Sequence, residues 1–438
     1  MAQNFIVGDR DQAFLLAPDL RDWLPAEHLA WFVIDTVDEL DLAAFYGRYR
    51  RDGWGRAAYD PAVMVAVLVY AYAVGVRSSR AIERRCVEDV AFRVVAANLV
   101  PDHATIARFR AVHEQALEGL FGQVLGLCQR AGLVDARVLA VDSTKLAANA
   151  SGMANMSYEE LAREILKQAA EIDAAEDELY GSARGDELPA ELADPRTRRA
   201  RIRELMDELD AERQAEHRQR QAMLERRAEH ERQTGRRPLG RPPIKRPKAA
   251  EKVRRVNLTD RDSRPVKTPR GFIQGYNAQL AAADGQIIVA AEVTTGSADQ
   301  GQLTPMIAAA QRALQAVSAS PPETVLADAG YWRNRDIQQL TEDGLTVLVP
   351  PDAHTRSEPL PGKRGGPYQR MRDQLASPES RALYRRRMTM IEPIFGHTKA
   401  NRRIERFQRR GLDAVRSEWR LIAATHNLLK LHTATTAG

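Results

Sequence analysis

The 438-residue sequence predicts an α/β protein: one mixed sheet flanked by helices, preceded by an all-helical region and split by a long charged helical insertion. Three observations predict this. Apolar residues recur at helical spacing through the first 135 residues. Short apolar, β-branched runs then alternate with helical patterns, as in a sheet covered by helices. Between the first of these runs and the next lies a strongly charged stretch from 151 to 255.

The N-terminal elements carry start signals. Asp60-Pro61 reads as a cap followed by a first-turn proline. The run that follows, "PAVMVAVLVYAYAVG", is shorter than the ~20 residues needed to cross a bilayer, so it reads as a core helix and no membrane partner is expected. "SSRAIERRCVEDVAFRVV" continues with helical periodicity, and Pro101-Asp102 opens a further helix, "HATIARFRAVHEQALEGLFGQVLGLCQ". Short helices, a turn, and a helix bearing Thr105, Arg108 and Arg110 admit two readings. One is a helix-turn-helix-like reader of DNA; the other is a scaffold with arginines on its wet face.

At "ARVLAVDST" the pattern becomes that of a buried strand, ending in Asp142. The charged interval then holds two helical stretches, "SYEELAREILKQAAEIDAAEDELYG" and "RTRRARIRELMDELDAERQAEHRQRQAMLERRAEHE", with "GSARGDELPAELADP" as the turn between them. "TGRRPLGRPPIKRPKAAEKVRR" reads as an extended basic linker, and Gly240-Arg241-Pro242 within it resembles the core of an AT-hook. Strand character returns in "GFIQGYNAQLAAADGQIIVAAEVTTG", where Asp284-Gly285 marks a hairpin. A helix ("GQLTPMIAAAQRALQAV"), a strand ("TVLADAGYW"), a helix near "NRDIQQLTEDG", a strand ("TVLVP") and a helical C-terminus complete the chain. The expected divisions are a helical, DNA-binding N-terminal domain (1–135), the first part of the core (136–150), the insertion and basic linker (151–255), the rest of the core (256–405) and a C-terminal helical segment (406–438).

Bulk properties narrow the class. Two cysteines, Cys86 and Cys128, cannot build a disulfide framework or a four-sulfur zinc site. With no export signal at the N-terminus, a cytoplasmic, nucleoid-associated location is expected. A net charge of +5, a pI near 9.2 and clustered arginines point to a polyanionic partner such as nucleic acid. None of the nine histidines forms a His-x-His pair, which disfavours chemistry through a tyrosine and a paired-histidine metal site; His397 and His426 read as surface or packing residues.

Three acids stand out. Asp142 and Asp328 each end an apolar strand, where open α/β sheets place their chemistry. Glu392 stands in "YRRRMTMIEPIFGHTK", a field of arginines, directly before a proline that is tolerated where a helix begins. Lys399 follows seven positions later, on the same helical face and about 10 Å along the axis. Three converging carboxylates suit two Mg2+ ions, with Mn2+ able to substitute, because hard cations choose oxygen ligands. Such a pair supports in-line phosphoryl transfer while nearby cations grip phosphates.

At this point the chain resembles a bacterial insertion-sequence transposase of the DDE class. "AVDSTKLAANAS" is similar to the first-aspartate motif, "DSRPVKTPRGFIQGYNAQLAAADGQIIVAAEVTTGSADQGQL" to the hairpin segment, "LADAGYW" to the second-aspartate motif and "YRRRMTMIEPIFGHTK" to the glutamate segment. "VPDHATIARFR" resembles the end of the N-terminal helical domain. The resemblance implies a ribonuclease H-like catalytic core and Asp142, Asp328 and Glu392 as catalytic metal ligands. Many relatives carry a tyrosine, an arginine, the glutamate and a lysine at set spacing. Tyr384, Arg387, Glu392 and Lys399 match, except that four residues instead of three separate Arg387 from Glu392, and Arg386 is the alternative. Arg402, Arg403 and Trp332 join the expected DNA contacts, with Arg108, Arg110 and Arg241 upstream.

The implied activity is cleavage at the terminal inverted repeats of a mobile element and joining of the freed 3′ ends to target DNA. A homodimer or higher assembly holding two ends together in a synaptic complex is expected. Two other readings stand beside it: a silent or repurposed DNA-binding relative, and a metal-dependent nuclease that does not rejoin strands.

Overall fold

A computed structural model describes residues 20–49, 58–150, 155–156, 195–235, 256–257, 259–268, 271–352 and 365–436. The N-terminal part is helical: α1 (Leu29–Asp38), α2 (Ala43–Tyr46), α3 (Pro61–Ala73), α4 (Ser79–Glu88), α5 (Val90–Val95), α6 (His103–Val112) and α7 (Glu114–Arg130). Asp60 caps α3, accepting the Ala62 amide at 2.8 Å, and Pro61 occupies the first turn without missing a donor. Because α3 is apolar all round, it is buried nearly all round.

Two expected helices are broken. Asp89 takes an extended conformation, ends α4, and accepts the amides of Ala91 and Phe92 to start α5. His113 separates α6 from α7. Its ring packs 4.4 Å from that of Phe109 and 5.3 Å from that of Phe45, which fixes the corner. One residue of the candidate reader helix is corrected as well. Asp102 caps α6 and also accepts the Thr105 hydroxyl. Arg110 is buried and donates to Arg77 O at 2.9 Å, to the Tyr72 hydroxyl and to Ser79, tying α6 to the α3–α4 turn; it is not available to DNA. Of the two arginines, only Arg108 faces outward.

The core is a six-stranded sheet of β1 (Val138–Ala147), β2 (Arg264–Thr268), β3 (Gly271–Ala282), β4 (Ile288–Thr294), β5 (Thr324–Ala327) and β6 (Thr346–Leu348). The order is β2-β3-β1-β5-β6, with β4 also paired to β3. β1 lies antiparallel to β3 and parallel to β5, and β5 runs parallel to β6. Flanked on both sides, Val138–Val141 is buried on both faces, hence its unbroken apolar run. The β3–β4 hairpin turns at Asp284-Gly285, where Gly285 adopts φ +69°. β2 was not legible as a strand: Pro265 and two basic residues mask it, and its edge position tolerates the missing amide donor.

After β1 comes α8 (Pro195–Thr234), a 40-residue helix within the charged insertion. The first expected insertion helix, the turn after it and Arg241 lie outside the described residues. The core continues with α9 (Leu303–Ala316), α10 (Asn334–Glu342), α11 (Gly366–Ala376), α12 (Pro378–Met390), α13 (Glu392–Gly396), a π-helical turn (His397–Asn401) and α14 (Leu412–Thr436).

α14 packs against α3, α7 and β4, so it joins the N-terminal helices to the sheet. Its Trp419 donates to Gln279 O at 3.0 Å, and Asn427 pairs with both backbone groups of Ile288 at the start of β4. Glu418, fully buried, accepts Arg77 at 2.8 Å and the amides of Gln408 and Arg409. One contiguous apolar cluster runs from α1 to α14 through the sheet. Among the described residues no helix is long and apolar enough to cross a membrane.

Candidate active site

Register brings two of the three acids together. Val141 of β1 pairs with Ala327 of β5 in parallel, so Asp142 and Asp328 lie side by side; the strand expected to end at Asp142 runs on to Ala147, because pairing with β3 continues past the end of β5. Asp328 then caps a short 3-10 turn, accepting the Gly330 amide at 3.0 Å. Burial pushes the Asp142 carboxyl up to about 6 and the Asp328 charge adds to that rise, while the Ser143 amide and Arg387 oppose it. Asp328 is raised too, by burial and then by the charge of Asp299.

The third acid arrives through a helix break. Pro393 lacks an amide, and in a continuous helix its ring would crowd the carbonyl of Thr389. α12 therefore ends at Met390, Ile391 bends the chain (φ −120°, ψ −35°), and Thr389 O accepts Gln286 Nε2 at 3.2 Å instead. The bend puts Arg387 and Glu392 on either side of one corner. Arg387 donates through Nη1 to Asp142 Oδ2 at 2.7 Å and through Nη2 to Glu392 Oε1 at 3.1 Å. Its side chain is mostly buried, and its Nε is buried without a partner. One guanidinium thus links the first and third acids and feels the charge of the second.

Among the described residues, no three acidic, histidine or cysteine side chains already stand together as a cation cage. The donor set nevertheless suits a hard cation: two carboxylates that repel each other, one within β1 and one just past the end of β5, and a third neutralised by a cationic side chain. Arg387 stands where positive charge is called for.

A fourth acid, Asp299, escaped the sequence reading. It follows β4 and precedes α9, where it looks like an ordinary helix-start residue. In the fold it accepts Ser143 (2.7 Å) and Lys145 (3.1 Å) from β1, and Asn277 (2.8 Å) and Gln279 (2.9 Å) from β3. Those four donors oppose one another pairwise, Ser143 with Gln279 and Lys145 with Asn277. Burial alone would raise the Asp299 carboxyl, but the Asn277 and Ser143 hydrogen bonds and the Lys145 charge hold it below the usual range. The signal was present in β3, where Asn277 and Gln279 alternate with Tyr276, Ala278 and Leu280, since buried polar groups need partners.

The remaining expected contacts divide. Tyr384 is half-buried beside Arg387. Lys399, in the π-helical turn, donates to Lys145 O at 3.3 Å, which places it at β1. Arg386 points elsewhere and pairs with Asp284 in the hairpin turn. Tyr331 is core, its hydroxyl bonded to Gln279, whereas Trp332 is half-buried and edge-on to Tyr368 at 6.4 Å. Arg403 is exposed. Arg402 is corrected: it is buried and donates to Tyr72 O (2.7 Å), Ile422 O (3.1 Å) and the Thr425 hydroxyl, so it ties the turn to α3 and α14 and cannot reach DNA.

Residues 18–112 match the family described as "Transposase domain (DUF772)", and residues 243–428 match the "Transposase DDE domain". The second match includes Asp299, Asp328 and Glu392 and begins after β1, so Asp142 joins them through the β1–β5 pairing and the Arg387 bridge. No curated protein and no solved structure matches the chain. With a helical transposase domain followed by a DDE domain whose mixed sheet is ribonuclease H-like, the chain belongs to the insertion-sequence transposases of the DDE class, enzymes that cleave and transfer DNA.

Proposed function

We propose that Asp142, Asp328 and Glu392 are the catalytic carboxylates and that the protein cuts at the ends of its own element and joins the 3′ ends to target DNA. The observation that carries this reading is the single guanidinium of Arg387 spanning Asp142 and Glu392, with Asp328 on the adjacent strand. The three acids supply only oxygen donors, and Mg2+ or Mn2+ is the class of ion such donors would hold. Two such ions, when bound, supply Lewis acidity at the attacking and leaving oxygens of an in-line displacement.

The chain's own side chains do the rest. Arg387, once freed from Glu392, is placed to grip the phosphate at the cleavage point, and Tyr384 beside it holds the guanidinium in position. Lys399 adds positive charge beside β1, where the DNA strand would lie, while the charge of Lys145 is matched by Asp299. Trp332, half-buried just past Asp328, is the aromatic side chain on which an unpaired base would stack. Because two element ends must be held at once, the working form is a homodimer or larger assembly on duplex DNA.

The test is incubation with a duplex carrying the flanking terminal repeats, a target plasmid and Mg2+, followed by mapping of the ends. The expected products are nicks at the element boundary and 3′ ends covalently joined to the target. Cut ends without joined products would reduce the protein to a nuclease. Binding without any cut in Mg2+ or Mn2+ would reduce it to a DNA-binding relative.

A further inference from the structure

A cleft of about 610 Å³ lies away from the carboxylates, between the N-terminal helices and the catalytic core. One wall is α4, with Arg84, Arg85 and Glu88; the floor is the α3–α4 turn at 75–78; the other wall carries Arg403 and Gln408. Resting on the DNA-transposase reading above, we infer that this cleft is a docking site for the phosphate backbone of duplex DNA.

Charge is the first support. Arg85 is neutralised by Asp89 at 3.0 Å, but Arg84 and Arg403 are exposed and pair with no acid among the described residues. Two uncompensated guanidinium groups face one cavity that holds a single carboxylate, Glu88. Arginines left unpaired in a concave surface suit planar, bidentate contact with phosphate oxygens.

Rigidity is the second. A Cβ added to Gly75, at φ +82°, would stand 2.5 Å from Arg402 O, so only glycine lets the α3–α4 turn approach the turn that presents Arg403. Arg403 itself holds φ +54°, a left-handed conformation that aims its side chain away from its buried neighbour Arg402. The buried Arg402 bonds beneath this contact, and Arg77 bonded to both Arg406 O and Glu418, lock the two walls together. The arginines are therefore presented by a preformed scaffold and not by a mobile loop.

Position is the third. Arg406 makes a bridge with Ala147 at the end of β1, and Lys399, four residues before Arg403, reaches Lys145 on the same strand. The segment that presents Arg403 is thus tied at both ends to the strand that bears Asp142. Exposed guanidinium groups in an open cleft suit phosphate oxygens, so the contact would position DNA without reading sequence.

The test is duplex binding measured across a salt series for wild type, Arg84→Gln, Arg403→Gln and the double variant. Each of these side chains is exposed, so thermal midpoints should stay near wild type. Each single change should weaken binding to element-end and unrelated duplexes alike and flatten the plot of log K against log salt by about one unit; the double should flatten it by about two. Arg84→Lys and Arg403→Lys should restore most of the slope. An unchanged slope in the double variant overturns the cleft and leaves the catalytic reading standing. If wild type itself binds no duplex, the transposase reading is what fails.

Discussion

Arg387 Nη1 donates to Asp142 Oδ2 at 2.7 Å, so an internal cation already engages the first acid of the proposed catalytic set. The same guanidinium engages Glu392. A divalent ion must compete with it for those oxygens. Arg387→Gln should therefore tighten Mn2+ binding to the DNA-free protein, by roughly tenfold, a 1.4 kcal/mol gain. Cleavage should fall at the same time, because the phosphate contact is lost. Calorimetric titration at about pH 8, above the value of about 6 to which burial pushes Asp142, reads the first effect. Equal or weaker Mn2+ affinity in the variant would refute the competition.

Gly330 marks how closely the second acid is held. A Cβ there would stand 3.0 Å from Asp328 Oδ1 and 3.6 Å from Asp299 Oδ2. Gly330→Ala must push the Asp328 carboxyl aside by a few tenths of an ångström, and displacements on the order of 1 Å cost about 10²-fold in rate. Single-turnover nicking should slow at least about tenfold with the melting temperature little changed. Wild-type nicking would show that the position of Asp328 does not limit the reaction.

His426 sets an acid limit on stability. Its Nε2 donates to Gln286 O at 2.9 Å, its Nδ1 is buried without a partner, and burial drives its pKa down to about 3, with Arg402, His397 and Lys430 adding repulsion. An unfolded histidine titrates near 6.5. Between about pH 6.5 and 3 the unfolded chain therefore binds a proton that the folded chain refuses, and stability declines as pH falls through that window. From pH 7 to 5 this histidine should cost about 2 kcal/mol, at 1.36 kcal/mol per pH unit. Urea midpoints at the two pH values should drop for wild type and drop less for His426→Gln. Equal drops would mean that the buried histidine is not the proton-linked group.

Particular residues show how far the sequence could be read. Asp142 and Asp328 were legible because each closes an apolar run, and the hairpin because Asp284-Gly285 separates two such runs. Their arrangement was not, since the β1–β5 pairing joins residues 141 and 327, a contact with no local trace. Arg402 and Arg403 are adjacent and look equivalent in sequence, yet one is buried and one exposed. They follow a π-helical turn, where no period of 3.6 or 2 predicts which side chain faces inward. Arg110 failed for a related reason: its hydrogen-bond partners, Arg77 O and Tyr72, come from an earlier helix and the turn after it. Asp299 was hidden because its four donors lie on two strands, both before it in the chain.

The most direct measurement is single-turnover nicking of an element-end duplex in Mg2+ by Asp142→Asn, Asp328→Asn and Glu392→Gln, each checked for duplex binding. Every one of the three should bind DNA and yield no nick above background. Nicking at the wild-type rate by any of them would contradict the assignment of that carboxylate, and by all three the whole account of the site.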